Sequence, residues 1–329
     1  MEAFFDSLTL RLRRAASYGD GVDSGLVGSG YADHLTDADL SFLVSVSEET
    51  ARPAVLAAGA SWLRSRPEAL PELIGDPRVF RAVFGPGDAA AAPSARAALA
   101  SPFLIFAVAV HRPAAELESM DHVPERSGQR QRVPLFDAPA LRDFLGSPAR
   151  RLFLAELLGS FTRNTAAPYR AAAGGRPGPR PSREARGHRR FSELDLGRMA
   201  GLLDAVPEAE RAGVYRRLGD VALFLTGVFP DYAVAHALGP VSAARLLRAA
   251  QVPPGRRDQL AAAPAIDLFE YLGARWYRAA WGLAPARTAR LAVVAEVADR
   301  FRQARRVLNH IADRCLFPAG NPWFAPPAR

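Results

Sequence analysis

Cysteine is nearly missing from this chain: Cys315 is the only one in 329 residues, and lysine does not occur at all. A lone thiol cannot close an intrachain disulfide and argues against a cysteine-based zinc site. Long apolar runs are missing too. The strongest, residues 102–110 and 221–229, hold about ten residues or fewer, against the roughly 20 that a bilayer-crossing helix needs. The first residues, Met1-Glu2-Ala3-Phe4-Phe5-Asp6, place acids where a secretory signal carries basic charge. These absences together lead us to expect a cytoplasmic protein that makes no membrane contact. Nucleophile and metal signatures are also wanting. There is no Gly-x-Ser-x-Gly and no Glu-x-x-His, and His34, His111, His122, His188, His236 and His310 show no ligand spacing.

What is present is a globular composition: 49% hydrophobic residues, four Trp, 18 Phe and a mean hydropathy of -0.04. That excludes global disorder and is enough for one large core or two modest ones. The net charge of +8 comes from 42 arginines. Its distribution matters more than its size. Residues 168–190 hold seven arginines against Glu184, a net of +6, which leaves +2 for everything else. The same stretch carries four glycines and, after Pro168, three more prolines. It can bury almost nothing, so a basic, disordered tether is expected there, able to touch nucleic acid non-specifically. It divides the chain into an irregular helical half, 1–167, and a helical bundle, 191–329. The fold class expected is all-α or predominantly α, with at most a small β-hairpin.

Periodicity supports that division. Phe4, Phe5, Leu8, Leu12 and Ala15 mark a helix over 3–18, which a glycine-rich break at 19–30 ends. Thr36 reads as an N-cap with Asp37 and Asp39 in the first turn. Helical pieces follow at 52–64 and 77–84. The run 101–111 fits a buried strand or a buried helix equally. Residues 130–136 can pair with those near Val123. Asp137 then opens a helix running to about 163, interrupted near Gly146-Ser147-Pro148, and its 149–163 part is a further candidate to pack on the bundle. Downstream, helices are expected at 207–229, 242–251, 266–281 and, longest, 287–316. Residues 241–260 have a helix-turn-helix look, with Ala250-Gln251-Val252 at the turn.

Two constellations could carry chemistry. Gly28-Ser29 followed by Thr36-Asp37-Ala38-Asp39-Leu40 resembles the signature of the DNA polymerase β-like nucleotidyltransferases. The resemblance implies a strand whose Asp37 and Asp39 carboxylates clamp Mg²⁺ against a triphosphate. The turn-to-acid spacing is short, however, and the third carboxylate expected on a later apolar strand is absent, so the helix-cap reading is preferred. The second constellation is a set of acids inside apolar helices: Glu156, Asp220 and Glu270. These could converge on a metal in a bundle. Pairing with Arg216, Arg217, Arg275 and Arg278 is the favoured alternative.

Glycines interrupt strong helices at Gly159, Gly219, Gly227 and Gly273, where close helix approach is the usual compensation. Aromatic residues cluster beside them, so Gly219, Asp220, Phe224, Gly227, Glu270, Tyr271, Gly273 and Trp276 are the candidate lining of an apolar pocket. Residues 215–232, Tyr-Arg-Arg-Leu-Gly-Asp-Val-Ala-Leu-Phe-Leu-Thr-Gly-Val-Phe-Pro-Asp-Tyr, resemble a segment of a helical bacterial family without an assigned function. Segments 271–281 and 302–317 do so more loosely. That resemblance implies a helical fold and transfers no catalytic residue. The functional expectation is a non-catalytic regulatory or scaffolding protein without a cofactor, binding a protein partner or a small apolar ligand.

Overall fold

The computed structural model describes residues 21–49, 52–85, 100–126, 132–163, 194–235 and 239–317. Among them are sixteen α-helices and a single two-stranded antiparallel sheet, so the fold is predominantly α. The helix expected at 3–18 and the tether at 168–190 lie outside the described residues. None of the described helices is long and apolar enough to cross a membrane. The chain splits into two compact units, each drawn from separated stretches. One holds the described residues up to Met120 with Leu145–Gly159 and those from Asp313. The other holds those of Asp121–Phe144 and Ser160–Ala312. Residues 121–144, expected with the N-terminal half, group with the helices after 194, whereas of the 149–163 segment named as a candidate to pack on the bundle only 160–163 does so.

In the first unit the supposed glycine-rich break is a helix, α1 (Gly21–Ala32). Gly28 explains the correction. A Cβ there would overlap the backbone of Pro67, in the short 3₁₀ turn Pro67–Ala69, so this glycine permits a close approach and does not end the helix. Next come α2 (Asp37–Ser47), α3 (Pro53–Ser65), α4 (Leu70–Ile74), α5 (Pro77–Phe84) and α6 (Pro102–Glu116). The ambiguous 101–111 run belongs to α6. Ser101 caps it by accepting from the Leu104 amide at 3.2 Å, Pro102 occupies the first turn, and residues 103–111 are all buried. A helix apolar on every side belongs in the middle of a core.

The second unit opens with the hairpin. Strands β1 (Val123–Arg126) and β2 (Arg132–Leu135) pair antiparallel, with Val123 opposite Leu135 and Pro124 opposite Pro134. Helix α7 (Ala138–Gly146) follows, and after the expected separation at Ser147 comes α8 (Pro148–Arg163), which groups with the first unit as far as Gly159. Then come α9 (Leu196–Ala205), α10 (Glu208–Val228), α11 (Pro230–Ala235), α12 (Pro240–Ala249), α13 (Pro254–Ala261) and α14 (Ala265–Leu283). The long helix expected at 287–316 is three elements: α15 (Ala289–Asp299), α16 (Phe301–Ile311) and a π-helical turn, Ala312–Leu316. The break is Arg300, at φ −119° and ψ 32°. Its amide closes onto the Glu296 and Val297 carbonyls and its side chain pairs with Asp143. The apolar stripe crosses the break intact, with Val294, Ala298, Phe301, Ala304, Leu308, Ile311 and Cys315 buried. Periodicity alone therefore reads as one helix.

The core of this unit is α10 packed against α14 and α16, and three glycines set the spacing. A Cβ at Gly219 would overlap the Tyr277 ring, and one at Gly273 would overlap the Phe301 ring. At Gly227 it would sit 2.7 Å from Leu308 Cβ and 3.3 Å from the Arg305 carbonyl. Each glycine costs the helix about 1 kcal/mol of propensity relative to alanine, and close ring-to-backbone packing offsets it.

Two expectations follow for denaturant unfolding. Gly219→Ala or Gly273→Ala should lower stability by about 1–3 kcal/mol through overpacking. Gly213→Ala, in the same α10 helix but with nothing within 4 Å of the added carbon, should raise it by up to about 1 kcal/mol. Equal shifts at Gly213 and Gly219 would contradict this packing. Likewise Asp39→Ala, which leaves the Thr36 and Ser101 amides without their acceptor, should cost about 1–3 kcal/mol. The exposed Asp37→Ala should stay within about 0.5 kcal/mol of the parent.

Candidate functional site

Asp37 and Asp39 begin a helix and not a strand. Asp39 is fully buried: its Oδ2 accepts from the Thr36 amide (2.8 Å) and hydroxyl (2.7 Å), and its Oδ1 from the Ser101 amide (2.6 Å). Thr36 Oγ1 in turn accepts from the Asp39 amide at 3.2 Å, which completes a capping box. The Asp37 side chain is 81% exposed and pairs with Arg64. Carboxylates two apart on a helix diverge, whereas on a strand they would point the same way.

The three embedded acids each have a partner of their own. Glu156 meets His34 at 3.0 Å in the first unit. In the second, the Tyr277 hydroxyl donates to Asp220 Oδ1 at 2.8 Å, with Arg216 Nε 3.6 Å from the same oxygen. Burial raises the Asp220 carboxyl above the usual carboxylate range, and Arg216 and the Tyr277 hydrogen bond offset only part of that. Glu270 is held by Arg305 (2.5 Å) and Arg302 (2.9 Å). Among the described residues no group of three or more His, Cys, Asp or Glu side chains is placed to hold a metal ion.

The glycine surfaces proposed as a pocket floor are occupied by side chains: Gly219 by Tyr277, Gly227 by Leu308, Gly273 by Phe301. Gly159, in the first unit, lies in ordinary contact with the Phe103 ring at 3.5 Å. Phe224 stacks on Phe161 at 3.9 Å between ring centroids and meets Phe229 edge-on at 5.6 Å. Arg217 covers the Phe161 ring at 4.2 Å and donates to Ser160 Oγ at 3.0 Å. Tyr271 is half-buried, and Trp276 is fully buried with no acceptor for its indole N–H.

A second polar cluster, in the first unit, escaped sequence reasoning. Tyr31 Oη and His111 Nε2 share a buried 2.9 Å hydrogen bond, and Phe103 packs on both Tyr31 and His34. Burial holds the His111 imidazole well below its usual range, so it stays neutral. Arg151 donates to the Leu145 carbonyl at 2.5 Å, close to where α7 ends, a position that suits a guanidinium. Partners 80 and 122 residues apart leave no local pattern to read.

The polar network around Glu270 leads to the hairpin. Arg305, itself buried, bridges Glu270 and Glu125 of β1, while Arg306 pairs with Asp137 just after β2 and lies 3.3 Å from Glu125. The Arg126 amide donates to Asn309 Oδ1 at 3.2 Å. Three arginines of α16 thus meet three carboxylates, and two of them, Arg305 and Arg306, tie the hairpin to the helix. On the same hairpin segment Val133 is 38% exposed and Phe136 79% exposed, with His122 against the Phe136 ring at 5.7 Å. A large aromatic left in water in the bend directly after β2 is the clearest candidate contact surface among the described residues. Comparison of the chain with protein-family models, curated proteins and solved structures finds no match.

Asp220 makes a pH experiment informative. Its carboxyl titrates above the unfolded value, so its contribution is fully present below the unfolded value and is lost as pH rises through the folded one. Asp220→Asn, which keeps an acceptor for Tyr277, should therefore be more stable than the parent at pH 7. That advantage should vanish at about pH 3 and below, where the carboxyl is protonated in both states. Thermal melts at the two pH values check it, and a variant less stable at neutral pH would overturn it.

Proposed function

We propose that this protein acts by recognition and not by catalysis, as a regulatory or scaffolding helical protein whose hairpin docks a protein partner. Phe136 carries the reading. Burying such a ring contributes about 2–3 kcal/mol, and here it stands in water beside Asp137, which Arg306 holds. The register Pro124 opposite Pro134 removes amide donors from both strands, which disfavours a partner that adds a third strand. The partner we propose therefore presents an apolar pocket to the Phe136 side chain. A small apolar ligand seated on the helix glycines is less well supported, since side chains already fill those surfaces. The setting we take to be the cytoplasm, where the lone, buried Cys315 stays reduced.

The test is a photo-reactive phenylalanine analogue at position 136, with position 202 as the exposed control, followed by identification and purification of the cross-linked protein. One defined adduct should form at 136 only. Phe136→Ser should leave the melting temperature within about 2 °C of the parent and weaken the purified complex at least about tenfold. An affinity indifferent to Phe136→Ser, or metal-dependent nucleotide turnover by the purified chain, would sink the proposal.

A further inference from the structure

Helix α13 buries none of its side chains, yet the turn that carries it is fixed at several points. Gln251 sits at φ 54°, and the amides of Ala250, Gln251 and Val252 bond the Leu246, Arg248 and Leu247 carbonyls. Arg275 of α14 donates to the carbonyls of Ala250 and Gln251, the latter at 2.7 Å, and Arg257 to that of Val252 at 2.8 Å. Tyr215 reaches the Ala249 carbonyl at 3.4 Å. Val252 is fully buried under the turn, and Ala243, Leu246, Leu247 and Ala250 seat α12 on the unit. The result is two short helices joined by a turn fixed through its carbonyls, the second with no side chain buried. Its own packing does not explain why it is held so firmly.

The outward side chains indicate what it faces. Arg245 and Arg248, three apart on α12, are exposed. So are Arg256 and Gln259, three apart on α13 and therefore on one face. The whole stretch 240–261 holds four arginines against one acid, Asp258, for a net of +3. Arginine and glutamine are the residue types that pair two-pronged with guanine and adenine edges, while neighbouring arginines suit phosphates. An α-helix with its side chains is about 10–12 Å across, a width that the major groove of B-form DNA admits and the deep, narrow groove of duplex RNA does not. We propose that α12 and α13 form a DNA-binding face, with Arg256 and Gln259 of α13 directed into the major groove and Arg245 and Arg248 of α12 on the phosphate backbone. Arg257 keeps a structural part, holding the turn through the Val252 carbonyl. This face is independent of the Phe136 docking surface.

The experiment is fluorescence anisotropy of the full chain with a random duplex DNA of about 25 base pairs, from about 50 to about 200 mM salt. The parent should bind with an affinity that falls steeply with salt. Arg245→Gln/Arg248→Gln/Arg256→Gln should lose about tenfold or more and flatten the salt slope by about one for each arginine removed. A charge-matched control at exposed positions, Arg64→Gln/Arg81→Gln/Arg142→Gln, should stay within about twofold, and both triple variants should melt as the parent does. Deleting 168–190 from parent and variant should weaken both and leave the difference between them. Equal losses in the two triple variants, no measurable binding by the parent, or abolition of all binding by the deletion would overturn the assignment. So would competition by duplex RNA or phosphatidylglycerol vesicles as effective, per phosphate, as DNA.

Discussion

The second unit depends on how closely α10 approaches α14 and α16. Without a side chain at Gly219, Gly227 and Gly273, the rings of Tyr277 and Phe301 and the Leu308 side chain lie directly on helix backbone. At that contact Tyr277 is completely buried, with its hydroxyl set where it meets Asp220. The same approach also fixes the rotation of α16. Leu308 faces inward against Gly227, so Arg302, Arg305 and Arg306 come around to Glu270, Glu125 and Asp137. The hairpin is consequently held by a surface whose orientation is decided one layer deeper.

Electrostatics play a specifying role more than a stabilising one. A buried ion-pair network gains little over well-packed apolar residues, but removing one member leaves an uncompensated charge and is strongly unfavourable. The six charges around Arg305 balance, so they select one seating of the hairpin and reject its neighbours. Asp220 shows the opposite balance. One phenol and a guanidinium 3.6 Å away do not fully replace water, and its carboxyl stays above the ordinary range.

In the first unit a single side chain plays a comparable organising part. Asp39 closes the α2 cap and also takes the Ser101 amide at the start of α6, so it ties together two helix beginnings 62 residues apart. Tyr31 and His111 join α1 to α6 in the same way through one buried hydrogen bond. Both ties satisfy polar groups in the interior, where leaving them unmade would cost about 1–3 kcal/mol each.

Local chemistry in the sequence was sufficient for the helical class, the Thr36 cap, the hairpin near Val123 and the interruption at Ser147. Each follows from interactions spanning a few residues: periodic burial, capping, and the missing amides of proline. It also marked Gly219, Gly227 and Gly273 as needing compensation, but could not tell close approach from a pocket, and it marked Gly159, whose neighbour lies at an ordinary distance, in the same way. Only the tertiary structure decided what approaches them, that Gly28 permits a helix to pack and does not end it, and that a single residue, Arg300, divides the last helix. The clamp joining Glu125 to Arg305 and Glu270, the Tyr31–His111 bond and the exposure of Phe136 were likewise beyond reading from the chain. They arise between residues tens to hundreds of positions apart, where burial and partner are set by packing and leave no trace in local pattern.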